Sequence, residues 1–362
     1  MQGTELDRLY MRRCLQLAAN GRLTTAPNPM VGAVVVADGR IIGEGWHQRY
    51  GEAHAEVNAI RRAEAYLSTH RLTDSQTHCW EAATLYVNLE PCCHYGKTPP
   101  CADLIVEKGI RKVVVGAGDP NSKVNGGGIR KLREAGVEVV VGVLEDECRE
   151  LNKVFYCNHE KQRPYITLKW AQTRVMDCGS WVMGYRDSRL IISNAYTNIL
   201  CHKRRAENGT ILVGRKTWEE DKPQLNVRYW AGRDPEKVVL SGVRKGSSRG
   251  VEVAQGVQGS VLVEGGRETL QSFIDQGLWD EAFVEASCAR REQVAGSREQ
   301  VAGSRGQVAG SREQVAGSRE LLRQAQEPGA GDCVVAPKMD ERYWVGSETM
   351  REGHVMMHYK KK

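Results

Sequence analysis

The sequence lacks the long apolar runs of membrane-spanning and exported proteins. No stretch of 18 apolar residues occurs, and the N-terminal residues contain no apolar core of the signal-peptide type. An excess of one charge is also missing, because 51 Lys and Arg residues are balanced by 45 Asp and Glu residues. Only 3 Phe residues are present, and no dense basic stripe carries stacking aromatics, as RNA-binding proteins often do. We therefore expect a soluble, cytoplasmic protein that binds neither a membrane nor a nucleic acid.

Proline is scarce, and the cysteines do not suggest disulfides. With 11 prolines in 362 residues and an apolar fraction of 41%, the composition favours a chain that forms compact cores over a disordered one. An odd number of cysteines, 11, in a long chain without an export signal favours reduced thiols and metal ligands. At about 100–200 residues per domain, the length predicts two domains.

Apolar periodicity and turn signals predict strands alternating with helices in both halves of the chain. Residues 5–20 have helical spacing, and Asp38-Gly39 joins two apolar runs as in a β-hairpin. The alternation predicts α/β domains. The boundaries that we predict are 1–148 for the first domain, 149–163 for a charged linker and 164–362 for the second domain.

A seven-residue unit, REQVAGS, is repeated between residues 290 and 319. A period of seven is also typical of a coiled coil, but one Gly per unit costs about 1 kcal/mol in a helix. One Val per unit is in addition too little for a coiled-coil seam. Strand-like character returns after the repeat, so we expect a disordered insertion into the second domain with no chemistry of its own.

Three short pieces of the first half offer zinc ligands. His54-Ala55-Glu56 lies on a predicted helix, a predicted strand ends in Pro91-Cys92, and Cys101 follows. One imidazole and two thiolates leave the fourth position of a zinc ion open, as catalytic zinc sites require. The order H-x-E, then P-C, then a further Cys is typical of zinc-dependent base deaminases, in which the Glu moves protons. Here Cys-x8-Cys replaces the usual C-x-x-C spacing.

Two alternatives remain open for these pieces. The zinc could be purely structural, and Cys93 could replace Cys92 as a ligand. We prefer Cys92 because it follows a proline at which we expect a helix to begin. Helices starting near His54 and near Cys92 would then hold both ligands at helix N-termini, where a thiolate is favoured over a thiol.

The first half resembles the bifunctional deaminase–reductase family of riboflavin biosynthesis. Residues 5–160 carry the resemblance in the segments PNPMVGAVVV, GEGWHQRYGEAHAEVNAI, LEPCCHYGKTPPCADLI and VVVGAGDPNSKVNGGGI. It implies a cytidine-deaminase-like α/β/α sandwich followed by a dihydrofolate-reductase-like α/β domain. The implied reactions are Zn²⁺-dependent deamination of 2,5-diamino-6-ribosylamino-4(3H)-pyrimidinone 5′-phosphate and NADPH reduction of its ribosyl chain to ribityl. The implied partner is this small-molecule pyrimidine ribotide, and we expect a homo-oligomer.

The same resemblance assigns roles to individual residues. For the deaminase half it implies one Zn²⁺ per chain on His54, Cys92 and Cys101, with Glu56 as the proton donor. The implied substrate contacts of that half are Asn28, His47, His94 and Lys97. In the second half the implied NADPH contacts are Ala171, Thr217, Asp221, Gly266, Arg267, Glu268, Thr269, Leu270, Gln271 and Ser272. The implied substrate contacts there are Arg205, Leu225, Arg228 and Glu264.

Simple chemistry agrees with two of these roles. The guanidinium groups of Arg205 and Arg228 can each bind a phosphate through two hydrogen bonds. Gly265-Gly266, between a predicted strand and a predicted helix, lets backbone N–H groups approach the phosphates of a cofactor.

The second half departs from the family pattern at three places. Residues 173–176 read TRVM where the family has Ser-x-Asp-Gly, and Asp177-Cys178 is the nearest equivalent. The family's Gly-x-Ser-x-Trp is not recognisable in YRDSRLIIS, and the region 241–259 is shorter than usual. The alternative function is therefore a deaminase with a degenerate, non-catalytic reductase domain. Two further alternatives are a deaminase of another base and an RNA-binding protein whose second domain binds the RNA.

Overall fold

The computed structural model describes residues 3–69, 80–95, 99–121, 125–174, 181–185, 192–240, 256–287, 333–335, 339, 343–351 and 354–361. Within it the chain divides into two compact units, Met1–Tyr165 and Ile166–Lys362. Several residues discussed above lie outside the described residues: the repeats over 290–319, Lys97, Asp177, Cys178 and most of 241–259.

The first unit is a five-stranded sheet with helices on both faces. Its strands are β1 (Gly32–Ala37), β2 (Arg40–Trp46), β3 (Thr84–Leu89), β4 (Lys112–Ala117) and β5 (Glu138–Val141). Its helices are α1 (Glu5–Ala18), a short 3-10 helix (Ala19–Gly21), α2 (Ala55–Thr69), α3 (Cys101–Glu107), α4 (Gly127–Glu134), α5 (Glu145–Leu151) and α6 (Lys153–Glu160). The strand order is β2-β1-β3-β4-β5, in which β1 is antiparallel to β2 and β3, whereas β3, β4 and β5 are parallel.

Alternation along β1 explains the three layers of this unit. Every residue of β1 is buried, and successive side chains point to opposite faces of the sheet. Ala33 and Val35 belong to the core that also contains Ile60 of α2 and Ile105 of α3. Val34 and Val36 belong instead to the core formed with α1, α5 and α6. The α/β/α sandwich expected from the sequence is therefore confirmed.

The predicted β-hairpin is present at Asp38-Gly39. Ala37 pairs with Arg40 across the turn. Asp38 has φ 49° and Gly39 has φ 70°, the left-handed conformation of both central residues that a two-residue hairpin turn requires.

A close approach of β2 to α2 fixes the beginning of that helix. A Cβ atom at Gly45 would lie 2.4 Å from the nitrogen of Ala59 and 2.5 Å from the carbonyl oxygen of Ala55. Only glycine leaves room for backbone atoms this close. Because α2 begins at Ala55, this contact holds the helix end that carries His54 and Glu56.

The segment predicted as a linker, 149–163, differs from that expectation. It contains the end of α5 and all of α6, and these residues belong to the first unit. The segment packs on the first unit because two of its polar side chains are buried there. The many charged residues of the segment gave no sign of this. Asn152 accepts a hydrogen bond from the Met30 N–H at 2.8 Å and donates one to the Met30 carbonyl at 2.9 Å. Tyr156 donates one to the Gly118 carbonyl at 2.7 Å.

The second unit is built on a nine-stranded mixed sheet. Its strands are β6 (Tyr165–Arg174), β7 (Trp181–Tyr185), β8 (Thr210–Gly214), β9 (Glu236–Leu240), β10 (Ser260–Val263), β11 (Glu281–Ser287), β12 (Cys333–Val335), β13 (Tyr343–Arg351) and β14 (His354–Lys361). Its helices are α7 (Ala195–Glu207), α8 (Arg215–Asp221) and α9 (Arg267–Asp275). The order is β13-β14-β11-β6-β10-β8-β9, and β7 pairs with β6 and β12 beside this path.

Parallel pairing in the middle of this sheet agrees with the predicted alternation of strands and helices. β11 is parallel to β6, and β8 is parallel to β10 and β9. Phe273 of α9 and Trp279 are fully buried in the core of the unit, together with Leu168 of β6. β8 ends at Gly214, because α8 begins at Arg215.

In the described part of the chain, no helix combines the length and the apolar character that crossing a membrane requires.

Candidate active site

His54, Cys92 and Cys101 come together in the first unit. Their ligand atoms all lie within 4.8 Å of one another, and no other such group of three is found among the described residues. The Nδ1 atom of His54 is 3.6 Å from the Cys92 sulfur and 3.3 Å from the Cys101 sulfur. These distances leave room for one ion between the three atoms.

Three separate elements supply the three side chains. His54 directly precedes α2, Cys92 lies in the loop after β3, and Cys101 is the first residue of α3. The prediction that a helix begins near Cys92 is wrong, because the helix begins at Cys101. The Cys101 N–H nevertheless points at the Cys92 sulfur, 3.3 Å away, and the Ala102 N–H donates to the Cys92 carbonyl at 3.1 Å. The start of α3 therefore binds Cys92, although Cys92 is not part of it.

Cys92 carries the negative charge of this cluster, and His54 and the Cys101 thiol would each release a proton when a metal ion binds. Hydrogen bonding from the Cys101 thiol and from His54 lowers the pKa of Cys92 to about 4, against the opposing effect of burial. The resulting thiolate in turn raises the pKa of His54 to about 9. One imidazole and two sulfurs are the donor set that zinc takes in sites with an open fourth position, so these residues fit a catalytic zinc ion.

Glu56 lies in the first turn of α2, beside the three ligands. It is only 3% exposed, and its carboxyl group is hydrogen bonded with the Cys101 thiol. Burial raises the pKa of Glu56. A carboxyl group with a raised pKa can accept and return a proton at a pH nearer to neutrality.

Asn28 and His47 lie next to the cluster. The His47 ring meets the His54 ring edge-on, with 5.7 Å between the centroids. Its Nδ1–H donates to the Ala53 carbonyl at 3.1 Å, which leaves Nε2 to accept the Asn28 amide at 3.3 Å. Burial lowers the pKa of His47, so the ring is neutral at physiological pH. Of the other two predicted contacts, His94 is exposed and Lys97 lies outside the described residues.

Two polar residues near the ligands, the buried Glu90 and the half-buried Asn58, were not predicted from the sequence. Glu90, 4% exposed, directly follows β3 on the way to Cys92. Asn58, near the start of α2, donates to the Trp46 carbonyl at 2.9 Å. The signal for Glu90 was available, because a carboxylate directly after the buried run of β3 needs hydrogen-bond partners.

In the second unit, Arg205 of α7 pairs with Glu264. The two side chains form two hydrogen bonds, of 3.0 Å and 2.7 Å, and are 12% and 11% exposed. Arg205 also donates to the Asn226 carbonyl at 3.2 Å. Despite burial, Arg205 lowers the pKa of Glu264. The guanidinium that we predicted to bind a phosphate is therefore already held by a carboxylate that we also predicted to contact the substrate.

The two other predicted substrate contacts lie on the segment after α8. Leu225 is 3% exposed and has φ 50°. Arg228 is exposed, and its backbone N–H donates to His202 Nδ1 at 3.0 Å. The guanidinium of Arg228 is thus more accessible to a phosphate than that of Arg205.

The predicted NADPH contacts gather near the beginnings of α8 and α9. A Cβ atom at Gly266 would lie 3.1 Å from the Thr217 Oγ1 atom, so these two segments are neighbours. No side chain caps the N-terminus of α9, and Arg267 and Glu268 there are exposed. Leu270 is fully buried in the core, and Thr269 beside it is only 5% exposed, so these two predicted contacts are less accessible to a cofactor. Ala171 lies on β6, Asp221 ends α8, and Thr269, Gln271 and Ser272 follow along α9.

Two family patterns match the chain. The family described as the cytidine and deoxycytidylate deaminase zinc-binding region matches residues 4–117, and the RibD C-terminal domain matches residues 164–247. The first match contains all three ligands and Glu56. The second contains Arg205 and Arg228.

Known proteins are similar to the whole chain or to one half of it. The riboflavin biosynthesis protein RibD of Aquifex aeolicus is 44% identical over 65% of this chain, and the match covers 62% of that protein. The chain thus spans less than two thirds of the length of this relative. The diaminohydroxyphosphoribosylamino-pyrimidine deaminase of Buchnera aphidicola is 43% identical over 41% of this chain, and 93% of that protein is covered.

A solved structure from Thermotoga maritima is similar over both units. It is a diaminohydroxyphosphoribosylaminopyrimidine deaminase/5-amino-6-(5-phosphoribosylamino)uracil reductase, 30% identical, with a TM-score of 0.73 and 99% of each chain covered. The structure of Acinetobacter baumannii RibD has a TM-score of 0.72 at 26% identity, again over 99% of each chain.

Proposed function

The chain belongs to the RibD family of riboflavin biosynthesis proteins, and from this we propose that it is an enzyme with two activities. The first is zinc-dependent hydrolytic deamination of 2,5-diamino-6-ribosylamino-4(3H)-pyrimidinone 5′-phosphate. The second is NADPH-dependent reduction of the ribosyl chain of the product to ribityl. The observation that carries the proposal is the convergence of three zinc-type ligand atoms within 4.8 Å, beside a buried carboxyl group.

In the deaminase half, this chain's residues would move the protons. His54, Cys92 and Cys101 would hold one Zn²⁺, which when bound lowers the pKa of a water molecule toward about 7. Glu56 would take the proton that the attacking water loses. It would then deliver protons to the ring nitrogen and to the leaving amine, so that ammonia departs.

Asn28 and His47 would orient the pyrimidine ring in this half. The neutral His47 fixes one amide hydrogen of Asn28, since its Nδ1–H is already bonded to Ala53. The remaining amide hydrogen and the carbonyl oxygen of Asn28 are then held in one orientation toward a polar ring. His94 and Lys97 are the proposed contacts to the rest of the ribotide.

In the second half, the start of α9 would bind the phosphates of NADPH, which supplies a hydride when bound. The backbone N–H groups of its uncapped first turn and the exposed Arg267 favour an anion there. Thr217, Asp221 and Ala171 are the proposed neighbouring contacts. Arg228 would bind the substrate phosphate, and Arg205, Leu225 and Glu264 would line the sugar site.

The two activities can be tested separately on the purified full chain. Zinc content is measured first, then ammonia release from the diaminopyrimidine ribotide, then NADPH oxidation with the deaminated product supplied. We expect both signals. Ammonia release without NADPH oxidation would support the alternative of a degenerate reductase domain. Neither signal, in a folded and zinc-loaded protein, would contradict the proposed function.

The proposal includes a cytoplasmic location and self-association. Cys14, Cys148 and Cys201 are thiols rather than disulfides, which supports a reducing compartment. Light scattering on the purified chain would test the second point, because a homo-oligomer must exceed the monomer mass of 40.3 kDa.

A further inference from the structure

Glu90 is a buried carboxylate that the deamination chemistry does not use. It accepts hydrogen bonds from four backbone N–H groups, and none of these four donors carries a positive charge. Burying a carboxylate costs free energy unless hydrogen bonds compensate for the lost water. The surrounding backbone N–H groups provide these bonds to Glu90.

The four donors belong to two chain segments. Oε2 accepts from Asp119 at 3.2 Å and from Gly126 at 3.0 Å. Oε1 accepts from Gly128 at 2.9 Å and from Ile129 at 3.2 Å. Gly128 and Ile129 are in the first turn of α4, whose N-cap residue Gly126 provides no side-chain cap. Glu90 thus caps α4 from another part of the chain and also holds Asp119.

Glu90 is also close in sequence to Cys92, one of the candidate zinc ligands. Only Pro91 separates Glu90 from Cys92. The Pro91 carbonyl lies so close to α4 that a Cβ atom at Gly128 would be 1.9 Å from its oxygen. A movement of Asp119 or of the start of α4 would therefore also move the loop that carries Cys92.

Asp119 lies in a charged neighbourhood that includes Glu90, His159 and His94. Burial and the charge of Glu90 raise the pKa of Asp119, and His159 and His94 act in the opposite direction. His94 is one of the proposed substrate contacts. Tyr156 of α6 donates a hydrogen bond to the carbonyl of Gly118, the residue directly before Asp119.

We infer that Glu90 is a positioning residue of the deaminase site, which fixes Asp119 and the start of α4 against the Cys92 loop. The inference rests on the proposed function. The four hydrogen bonds of Glu90 go to backbone N–H groups and not to the ligand atoms. Its effect on catalysis would be exerted through the segments 118–121 and 125–129.

The test is Glu90→Gln in the full chain. The amide keeps the shape of the side chain but turns one oxygen into a donor, which then faces two backbone N–H groups. We expect zinc to be retained and kcat/KM for the ribotide to fall about 10- to 100-fold, the usual loss for residues that orient a metal site from outside it. We expect this loss to lie mainly in KM. Hydrogen–deuterium exchange of peptides covering 118–121 and 125–129 should become faster.

Asp7→Asn is the matched control. Asp7 is also a buried carboxylate at a helix N-terminus, where it accepts from the Thr4 N–H at 2.7 Å and the Tyr86 hydroxyl at 2.9 Å. It lies on α1, outside the proposed catalytic residues, so this variant should lose stability with KM unchanged. Tyr156→Phe provides a second, milder variant, which removes only the bond to Gly118 and should shift KM in the same direction as Glu90→Gln.

Kinetics and exchange at wild-type values in both Glu90→Gln and Tyr156→Phe would overturn the inference. A Glu90→Gln variant that behaves like Asp7→Asn, less stable but with unchanged KM, would also overturn it, since Glu90 would then be only a helix cap. Exchange needs no substrate. If wild-type protein releases no ammonia, the proposed function fails, while the exchange result still decides whether Glu90 holds the two segments.

Discussion

Glu56 is the side chain to which the proposed function assigns the proton transfers of deamination. It follows the ligand His54 by two residues, it is buried, and the three ligand atoms do not include its own carboxylate. Proton transfer and metal binding are thus assigned to different side chains, and a substitution can separate them.

We predict that Glu56→Gln retains zinc but lowers kcat for deamination by about 10²–10⁴-fold, the usual contribution of a general acid–base group. Ammonia release and metal analysis of the same preparation measure both quantities. NADPH oxidation with the deaminated product supplied is the internal control and should be unchanged. Near-normal ammonia release would remove Glu56 from the proton-transfer role.

In the second unit, the pair formed by Arg205 and Glu264 leads to a prediction about stability. Both side chains are almost buried, so Arg205→Ala leaves a carboxylate without its partner, at a cost of about 3–5 kcal/mol. Urea unfolding of the second unit measures this free energy. The double variant Arg205→Leu, Glu264→Leu should regain only part of it, because the unpaired carboxylate is removed but Lys169 then loses the favourable charge of Glu264. A single variant as stable as wild type would show that the pair is not formed.

At the scale of the elements, α1 is held by its own N-terminal cap. Thr4 and Asp7 form a capping box, and the Tyr86 hydroxyl of β3 donates to Asp7. Burial alone would raise the pKa of Asp7, but these hydrogen bonds outweigh it and lower the pKa. A carboxyl group with a lowered pKa in the folded state stabilises the fold above its unfolded pKa and stops doing so as the pH falls.

We therefore predict a pH-dependent effect of Asp7→Asn. At pH 7 it should lower the free energy of unfolding by about 1–2 kcal/mol, the usual value for a helix cap with buried hydrogen bonds. As the pH falls below about 4, the ordinary pKa of Asp, wild type loses this contribution and the two proteins converge. Urea unfolding at pH 7 and pH 3 compares them. An equal difference at both pH values would contradict the assigned pKa shift.

The contact of β2 with α2 yields a prediction that links packing to the metal site. Gly45→Ala would place a Cβ atom against backbone atoms of α2, which cannot rotate away as a side chain would. We expect a loss of about 1–3 kcal/mol in stability, as for other overpacked sites, and weaker zinc binding because the start of α2 must shift.

Gly209→Ala is the control for this effect, because the nearest atom to its Cβ would be 3.8 Å away. Its stability should stay within about 0.5 kcal/mol of wild type. Unchanged zinc affinity in Gly45→Ala would show that the helix can move without disturbing His54.

Sequence periodicity was sufficient for most of the elements but not for all of the site. Alternating apolar residues and the Asp38-Gly39 turn predicted the β1–β2 hairpin, and the H-x-E and P-C pieces predicted the ligand cluster that the structure has. The helix expected at Cys92 begins instead at Cys101, because proline is compatible both with a helix start and with a loop.

Long-range hydrogen bonds account for what the sequence could not show. The partners of Glu90 are 29 to 39 positions away along the chain, and those of Asn152 are 122 positions away. No local pattern records such separations, so Glu90 was overlooked and residues 149–163 were predicted as a linker. The pairing of Arg205 with Glu264, 59 positions apart, is of the same kind.

At the scale of the whole molecule, two compact units carry two separate sets of functional residues. The three ligands and Glu56 lie in Met1–Tyr165, and the proposed NADPH and sugar contacts lie in Ile166–Lys362. The two family matches, over 4–117 and 164–247, lie in the first unit and almost entirely in the second unit, respectively. Losses of activity should accordingly be separable, so that a substitution at one set leaves the reaction of the other intact.

The most direct test of the central claim is the zinc content of the full-length Cys101→Ser variant, set against Cys148→Ser. Both thiols are about 1% exposed and belong to the first unit, but only Cys101 lies in the ligand cluster. Wild type and Cys148→Ser should each bind about one zinc ion per chain, and Cys101→Ser should lose most of it. Full zinc occupancy in Cys101→Ser would contradict the account.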